Sequence, residues 1–288
     1  MVQKVKFEMN DKQEFLNVLN AVMEHTAKKC EGCIVYFNQK GIVFVGHHSD
    51  KIAAMIVSIS RENLKGYKRD YDKDKATRSL YHNFEINKND HEKIKKFLTA
   101  GKENELSVTI TENNWTLKTG SLKRTIKTYE GTIETRTSAD NLLKLFKRLT
   151  GSVLVLGSMD MAEFNRYVRV TEVATRKIPS WERKKAIFQI KDKVHTLYAL
   201  LDTDDMDINI TKDLLLPKKP QKELNAVINI EELGQASKYF SKLADTAYIR
   251  IQDGTPIIIS NTLTSTDEDM YEREINFWYM LSPVNEGD

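Results

Sequence analysis

The hydrophobic pattern changes period in a recurring order, most clearly between Glu223 and Pro283. Leu224-Asn225-Ala226-Val227-Ile228 predicts a short strand, and Asn229 is placed to cap a helix directly after it. Leu233, Ala236, Phe240, Leu243 and Ala244 then recur at helical spacing, with Gln235, Lys238 and Lys242 on the opposite face. Tyr248 to Ile251, Pro256 to Ser260 and Ile275 to Leu281 predict three strands, the first two separated by a turn at Asp253-Gly254. The unit is strand, helix, three strands.

The same order recurs at 79–129. Tyr81 to Ile86 predicts a strand, and Asn87 or Asn89 can cap a helix whose apolar face is Ile94, Phe97 and Leu98. Strands come next at Leu106 to Ile110, Trp115 to Lys118 and Lys123 to Tyr129. Residues 4–70 repeat it again: a strand from Lys4 to Met9, a helix from Asn10 or Asp11 to about Lys29, then strands at 34–37, 42–45 and 52–60. Residues 153–210 give a fourth copy. Val153 to Leu156 is its strand, and Asp160 caps a helix carrying Phe164, Tyr167, Val168, Thr171 and Thr175 on one side. Strands are then expected at 186–190, 194–201 and 208–210, and a Pro-Lys-Lys-Pro linker at 217–220 leads into the 223–283 unit. Four βαβββ units make an internal repeat. They predict an α+β fold of two similar domains, 1–129 and 152–288, with helices on one face of antiparallel sheets.

Residues 130–151 fall outside the repeat. Ser138 is placed to cap a short helix with Leu142, Leu145, Phe146 and Leu149 on one face, ended by Gly151. The segment is expected to connect the two domains.

Composition narrows the function without naming it. A chain of 288 residues suits two domains, and 40% hydrophobic with 30% charged residues suits a soluble globular protein. No run is long and apolar enough to span a membrane, and Met-Val-Gln-Lys-Val-Lys lacks a signal-peptide core, so an intracellular site is expected. The net charge of +3 is too small to mark a nucleic-acid binder, so any electrostatic role must come from where the charges lie. Cys30-Glu31-Gly32-Cys33 comes after a helix instead of starting one, and no second cysteine pair completes a zinc site. Structural packing is the better account of the two thiols, although His25, His47 and His48 could complete a metal site by folding nearby.

Catalytic motifs are missing. Gly151 to Gly157 has the glycines of a phosphate loop but no lysine. The acidic run 202–207 resembles a cation loop but lacks the central glycine and closing glutamate of an EF-hand. A polar hairpin accounts for it better than the carboxylate cluster of a metal-dependent nuclease. No catalytic residue, cofactor or metal ligand is expected.

The pattern resembles the sliding-clamp family, PCNA and related DNA polymerase processivity factors. The resemblance spans nearly the whole chain and is closest at Phe277-Trp278-Tyr279-Met280-Leu281-Ser282-Pro283, at Gly41 to Met55 and at Leu106 to Lys127. It implies a ring, usually of three subunits, that encircles duplex DNA and tethers a replicative polymerase after a clamp loader opens it. A monomeric or dimeric processivity subunit of the herpesvirus type and one member of a checkpoint-like heterotrimer share the fold. Carried over residue by residue, the resemblance implies three surfaces. Lys12, Lys28, Lys93, Lys96, Arg166, Arg169, Lys238 and Lys242 would face DNA. Lys123, Arg124 and Lys127 would meet Asp205, Asp207 and Ile208 of a neighbouring copy through paired edge strands. His47, Lys51, Ala54, Met280, Pro283 and Val284 would line a groove for partner peptides.

Overall fold

The computed structural model describes residues 4–26, 30, 32–47, 52–69, 81–111, 114–127, 129–130, 133–152, 155–174, 185–191, 194–199, 206–210, 224–251, 255–262 and 271–284. All four repeats are present. The first is β1 (Lys4–Met9), α1 (Lys12–Glu24), β2 (Gly32–Phe37), β3 (Gly41–His47) and β4 (Ala53–Ser60), with an added strand after it, β5 (Lys65–Arg69). The second is β6 (Tyr81–Asn87), α2 (Lys88–Ala100), β7 (Leu106–Thr111), β8 (Asn114–Thr119) and β9 (Leu122–Lys127). A two-residue strand, β10 (Tyr129–Glu130), and a helix, α3 (Ile133–Ser152), separate it from the third. That unit is β11 (Val155–Asp160), α4 (Met161–Ala174), β12 (Lys185–Lys191), β13 (Val194–Ala199) and β14 (Met206–Ile210). The fourth is β15 (Leu224–Asn229), α5 (Ile230–Leu243), β16 (Thr246–Arg250), β17 (Ile257–Ser260) and β18 (Ile275–Leu281).

The helix starts obey their caps. Asp11 accepts from the Gln13 N–H, Asn87 from that of Asp90, Asp160 from that of Glu163, and Asn229 from those of Glu231 and Glu232. Each side chain satisfies an amide that the helix itself leaves unpaired. The first helix ends at Glu24, one turn before the expected Lys29. There the His25 ring donates from Nδ1 to the Val22 carbonyl at 2.8 Å, taking up a last-turn acceptor. The Cys30 and Cys33 thiols are fully buried, with Cys30 Sγ 3.6 Å from His25 Nδ1, and burial pushes the Cys33 thiol well above its ordinary pKa.

Three antiparallel sheets result. A nine-stranded sheet runs β10-β6-β2-β3-β4-β18-β17-β16-β11, a five-stranded sheet β5-β1-β7-β8-β9, and a four-stranded sheet β14-β13-β12-β15. The nine-stranded sheet joins the two halves of the chain, because β18 pairs with β4 from Ile275 opposite Ile59 to Leu281 opposite Ala53. The main core lies between the sheets and α1, α2, α4 and α5, with Phe240 stacked on Phe277 at 5.3 Å between ring centres. Gly46 allows α1 to approach β3 closely, since a Cβ there would sit 2.3 Å from the Val22 carbonyl oxygen.

The segment between the halves departs from expectation. It is a helix of 20 residues, and Ser138 lies inside it instead of capping it. It packs on the other face of the nine-stranded sheet. There Ala139, Leu143 and Phe146 bury against a second apolar cluster containing Ile34, Val45, Ala54, Trp278 and Met280. The Tyr36 hydroxyl donates to Asp140 at 3.0 Å across this contact.

Candidate nucleic-acid interface and subunit edges

The helices α1, α2, α4 and α5 form one layer. Helix α1 packs against α2 and α5, and α5 against α4, so their order is α2-α1-α5-α4. Polar contacts stitch the layer. Glu24 on α1 accepts from Lys95 Nζ on α2 at 2.8 Å and from the Tyr239 hydroxyl on α5. His91 on α2 meets Asn20 on α1 at 2.9 Å, and Ser237 on α5 donates to Asn165 on α4 at 3.0 Å. Burial raises the pKa of Glu24, but the hydrogen bonds from Lys95 and Tyr239 and the Lys95 charge outweigh it, and the net shift is downward. Burial first, and then the bond to Glu24, raise that of Tyr239. Among the described residues, Glu24, His91 and Glu92 hold ligand atoms within 4.8 Å of one another. Lys95 and Asn20 already engage two of them.

The outward face of this layer carries many of the cations expected to meet DNA. Lys93, Lys96, Arg166, Arg169 and Lys242 are exposed. Lys93 is held 3.0 Å from Asp90, and Arg166 lies 3.9 Å from Glu163 with its guanidinium 5.3 Å from the centre of the Tyr167 ring. Lys242 sits 5.4 Å from the centre of the Tyr239 ring. Lys238 is half-buried and donates to Gln235 at 2.7 Å. Lys12 is diverted from the face, because its ammonium donates to the Gly101 carbonyl at the end of α2. Lys28 lies outside the described residues. Lys88, at the start of α2, is an exposed cation that sequence reasoning passes over.

The two strands expected at the subunit boundary are both sheet edges among the described residues. Strand β9 ends the five-stranded sheet and β14 ends the four-stranded one. On β9, Leu122, Lys123, Arg124 and Lys127 are exposed while Ile126 is buried. Asp207 and Ile208 lie in β14, opposite Tyr198 and Leu197 of β13. Asp205 lies outside the described residues.

The residues expected to line a partner groove do not form an open one. Ala54 is 2% and Met280 4% exposed, both within the cluster that α3 covers. Val284 is buried, and its N–H donates to the Val227 carbonyl at 2.9 Å. Pro283 is half-buried, His47 ends β3, and Lys51 lies outside the described residues. Both the apolar strands and the apolar face of the covering segment, Leu142, Leu145 and Phe146, were legible in the sequence, whereas the full length of the helix was not. Trp278, 1% exposed in this cluster, has a buried indole N–H with no hydrogen-bond partner among the described residues.

A doubled pair of βαβββ units, with helices in one layer and edge strands left at both ends, is the fold of DNA sliding clamps. PCNA from A. fulgidus, in a structure that carries the C-terminal region of FEN-1, matches over 99% of this chain and 100% of its own at a TM-score of 0.67 and 15% identity. A chain of the PCNA2–PCNA3 complex from Sulfolobus tokodaii matches at 0.66 and 14%, with 96% of this chain and 98% of its own covered. PCNA from Entamoeba histolytica matches at 0.67 and 10%, over 98% and 99%. No family model matches the chain, and no curated protein does.

Proposed function

We propose that this chain is the subunit of a DNA sliding clamp, a homotrimeric ring that encircles duplex DNA, tethers a DNA polymerase and is placed on DNA by a clamp loader. It works inside the cell and catalyses no reaction. The observation that carries this reading is the match between two of the sheet edges found among the described residues, β9 and β14, and the joint already inside the chain. Strand β18 closes the fourth unit and pairs with β4, which closes the first. Strands β9 and β14 close the second and third units, and each is a sheet edge. Pairing β9 of one copy with β14 of the next would create the order β15-β12-β13-β14-β9-β8-β7-β1. That repeats, unit for unit, β6-β2-β3-β4-β18-β17-β16-β11 of the nine-stranded sheet. Exposed edges seek partners, and a head-to-tail contact of this kind closes into a ring.

A ring holds DNA topologically, so its contacts can be weak and indifferent to sequence. Lys96, Arg166, Arg169 and Lys242 on the outward helix faces suit the phosphate backbone of a duplex. The groove at Ala54, Met280 and Pro283 remains the proposed docking place for partner peptides, and a peptide can enter it only when α3 vacates it. The test is native mass together with retention on DNA. A trimer that stays on closed circular DNA and slips off linear DNA supports the reading. A monomer retained equally on both would instead fit a processivity subunit that does not encircle.

A further inference from the structure

Lysines crowd the outer face of the five-stranded sheet. Phe7, Val108, Leu117 and Ile126 fill its core side, so the residues between them face out. Register lines up the outward set. Lys68, Lys6, Thr109, Thr116 and Thr125 stand opposite one another across all five strands. One row along, Lys65, Glu8, Ser107, Lys118 and Lys123 do the same. All five of these lysines are exposed. Glu8 is the one acid in these five strands, and it lies 3.9 Å from Lys6.

Two of the opposite pairs set lysine against lysine, Lys6 with Lys68 and Lys118 with Lys123. Like charges directly opposite destabilise a sheet. The charge is not general to the sheets. The matching face of the four-stranded sheet presents Ile187, Gln189, Asn225 and Val227, with Lys185 as its one lysine among the described side chains. On the five-stranded sheet a cavity of about 500 Å³ opens among Lys6, Lys65, Ser107, Thr109 and Lys118, with Glu8 and Glu105 at its border.

We propose that this face binds the phosphate backbone of double-stranded DNA, at a site separate from the helix layer and independent of ring closure. Strands β1 and β8 lie about 10 Å apart on either side of β7, so a backbone running along β7 meets lysines on both flanks. The Ser107 and Thr109 hydroxyls lie between them. Ammonium and hydroxyl groups contact phosphate oxygens and read no sequence. Phe7, Tyr67 and Trp115, the aromatic residues of these strands, are buried. Bases therefore find nothing to stack on, and a duplex fits the face better than a single strand. The outward rows also hold no apolar anchor and no arginine fork for an acidic peptide. Phosphates lying over the paired lysines relieve their repulsion.

The test follows a short labelled duplex by fluorescence anisotropy against salt, using the full-length chain. Lys6→Glu, Lys68→Glu and Lys118→Glu together leave β9 and the helix layer untouched. In a chain whose helix face already carries Lys96→Glu, Arg166→Glu and Arg169→Glu, the duplex should still bind. Adding the three outer changes should lower affinity at least tenfold and the salt slope by about three units. Lys68→Glu alone sets opposite charges across β1 and β5, so its melting temperature should hold or rise while its affinity falls. With the helix face unaltered, the three outer changes should leave native mass as in the parent and abolish capture of a second duplex by protein already on DNA. A helix-face variant that binds no duplex, or six changes that bind no worse than three, overturns the site. So does tighter binding of a single strand than of the duplex, or displacement of the duplex by poly-glutamate as readily as by unlabelled DNA. None of these outcomes bears on the ring, which stands or falls on native mass.

Discussion

The hydroxyl of Tyr239 on α5 donates to the carboxylate of Glu24 on α1, tying the last repeat to the first across the middle of the helix layer. Lys95 Nζ reaches the same carboxylate from α2 at 2.8 Å, so one side chain joins three helices. Glu24→Gln should cost about 1–3 kcal/mol, because it leaves the Lys95 ammonium short of its counter-charge. The pH dependence has a definite sign. The folded-state pKa of Glu24 lies below its ordinary 4.5, so the stabilisation is fully present above that value and is lost as pH falls through the lower, folded-state value. The difference in melting temperature between parent and Glu24→Gln should therefore be constant near neutrality and shrink in acid. A difference that grows in acid would show that Glu24 is not held in its charged form.

Strand β14 should carry the contact between copies on its free edge. Neighbouring residues of an antiparallel strand direct their N–H groups to opposite sides, so of Ile208 and Asn209 one N–H faces β13 and the other faces away. Proline at the inward position breaks the β13–β14 ladder and lowers the melting temperature. Proline at the outward position leaves melting unchanged and yields monomers. If neither Ile208→Pro nor Asn209→Pro lowers the native mass, copies associate elsewhere.

Helix α3 buries Phe146 at 2% and Leu143 at 7% exposure against a cluster separate from the main core. Phe146→Ala should remove about 3–5 kcal/mol of packing, all of it from the α3 contact. Amide exchange should accelerate through α3 while β1, β7 and β8 keep their protection. Uniform acceleration across both would mean that α3 unfolds only with the whole chain. Release of α3 would uncover Ala54, Trp278 and Met280. Phe146→Asp should accordingly strengthen capture of a polymerase-tail peptide, and Met280→Ala should weaken it. Unaltered capture in both would place the groove elsewhere.

The repeats were legible because each helix buries residues three and four apart behind an Asp or Asn cap, and each strand run is bounded by turns. The edge strands were expected only from the family resemblance, since periodicity does not say which strand ends a sheet. Three features were hidden for physical reasons. Val170 and Val173 are apolar and three apart, so periodicity alone cannot separate them from core positions such as Val168; their exposure, 44% and 51%, appears only in the folded chain. The first turn of α3, from Ile133 to Thr137, is mostly polar, and Ser138 imitates a cap, so the pattern reads as a shorter helix than the one that forms. Spacing alone puts Lys12 on the outward face, but the Gly101 carbonyl lies within its reach and takes its charge.

The strongest test of the DNA reading is the dependence of binding on salt. Each phosphate contact made by a Lys or Arg releases counterions, so losing one contact lowers the slope of log affinity against log salt by about one unit. Lys96 on α2 and Arg166 on α4 are exposed on the outward helix face, whereas Lys238 on α5 is half-buried and shared with Gln235. The triple variant Lys96→Glu, Arg166→Glu, Lys238→Glu should therefore lower the slope mainly through its first two changes. Substituting Arg169→Glu for Lys238→Glu should lower it further. Affinity should fall by the same factor on unrelated duplex sequences, since phosphates carry no sequence information. Native mass and melting should hold, because these side chains contribute little to the core. Polymerase processivity on a primed circle should fall with the affinity. If the triple variant keeps the slope and the processivity of the parent, the cations on these helices are solvated surface, and DNA does not pass along this face.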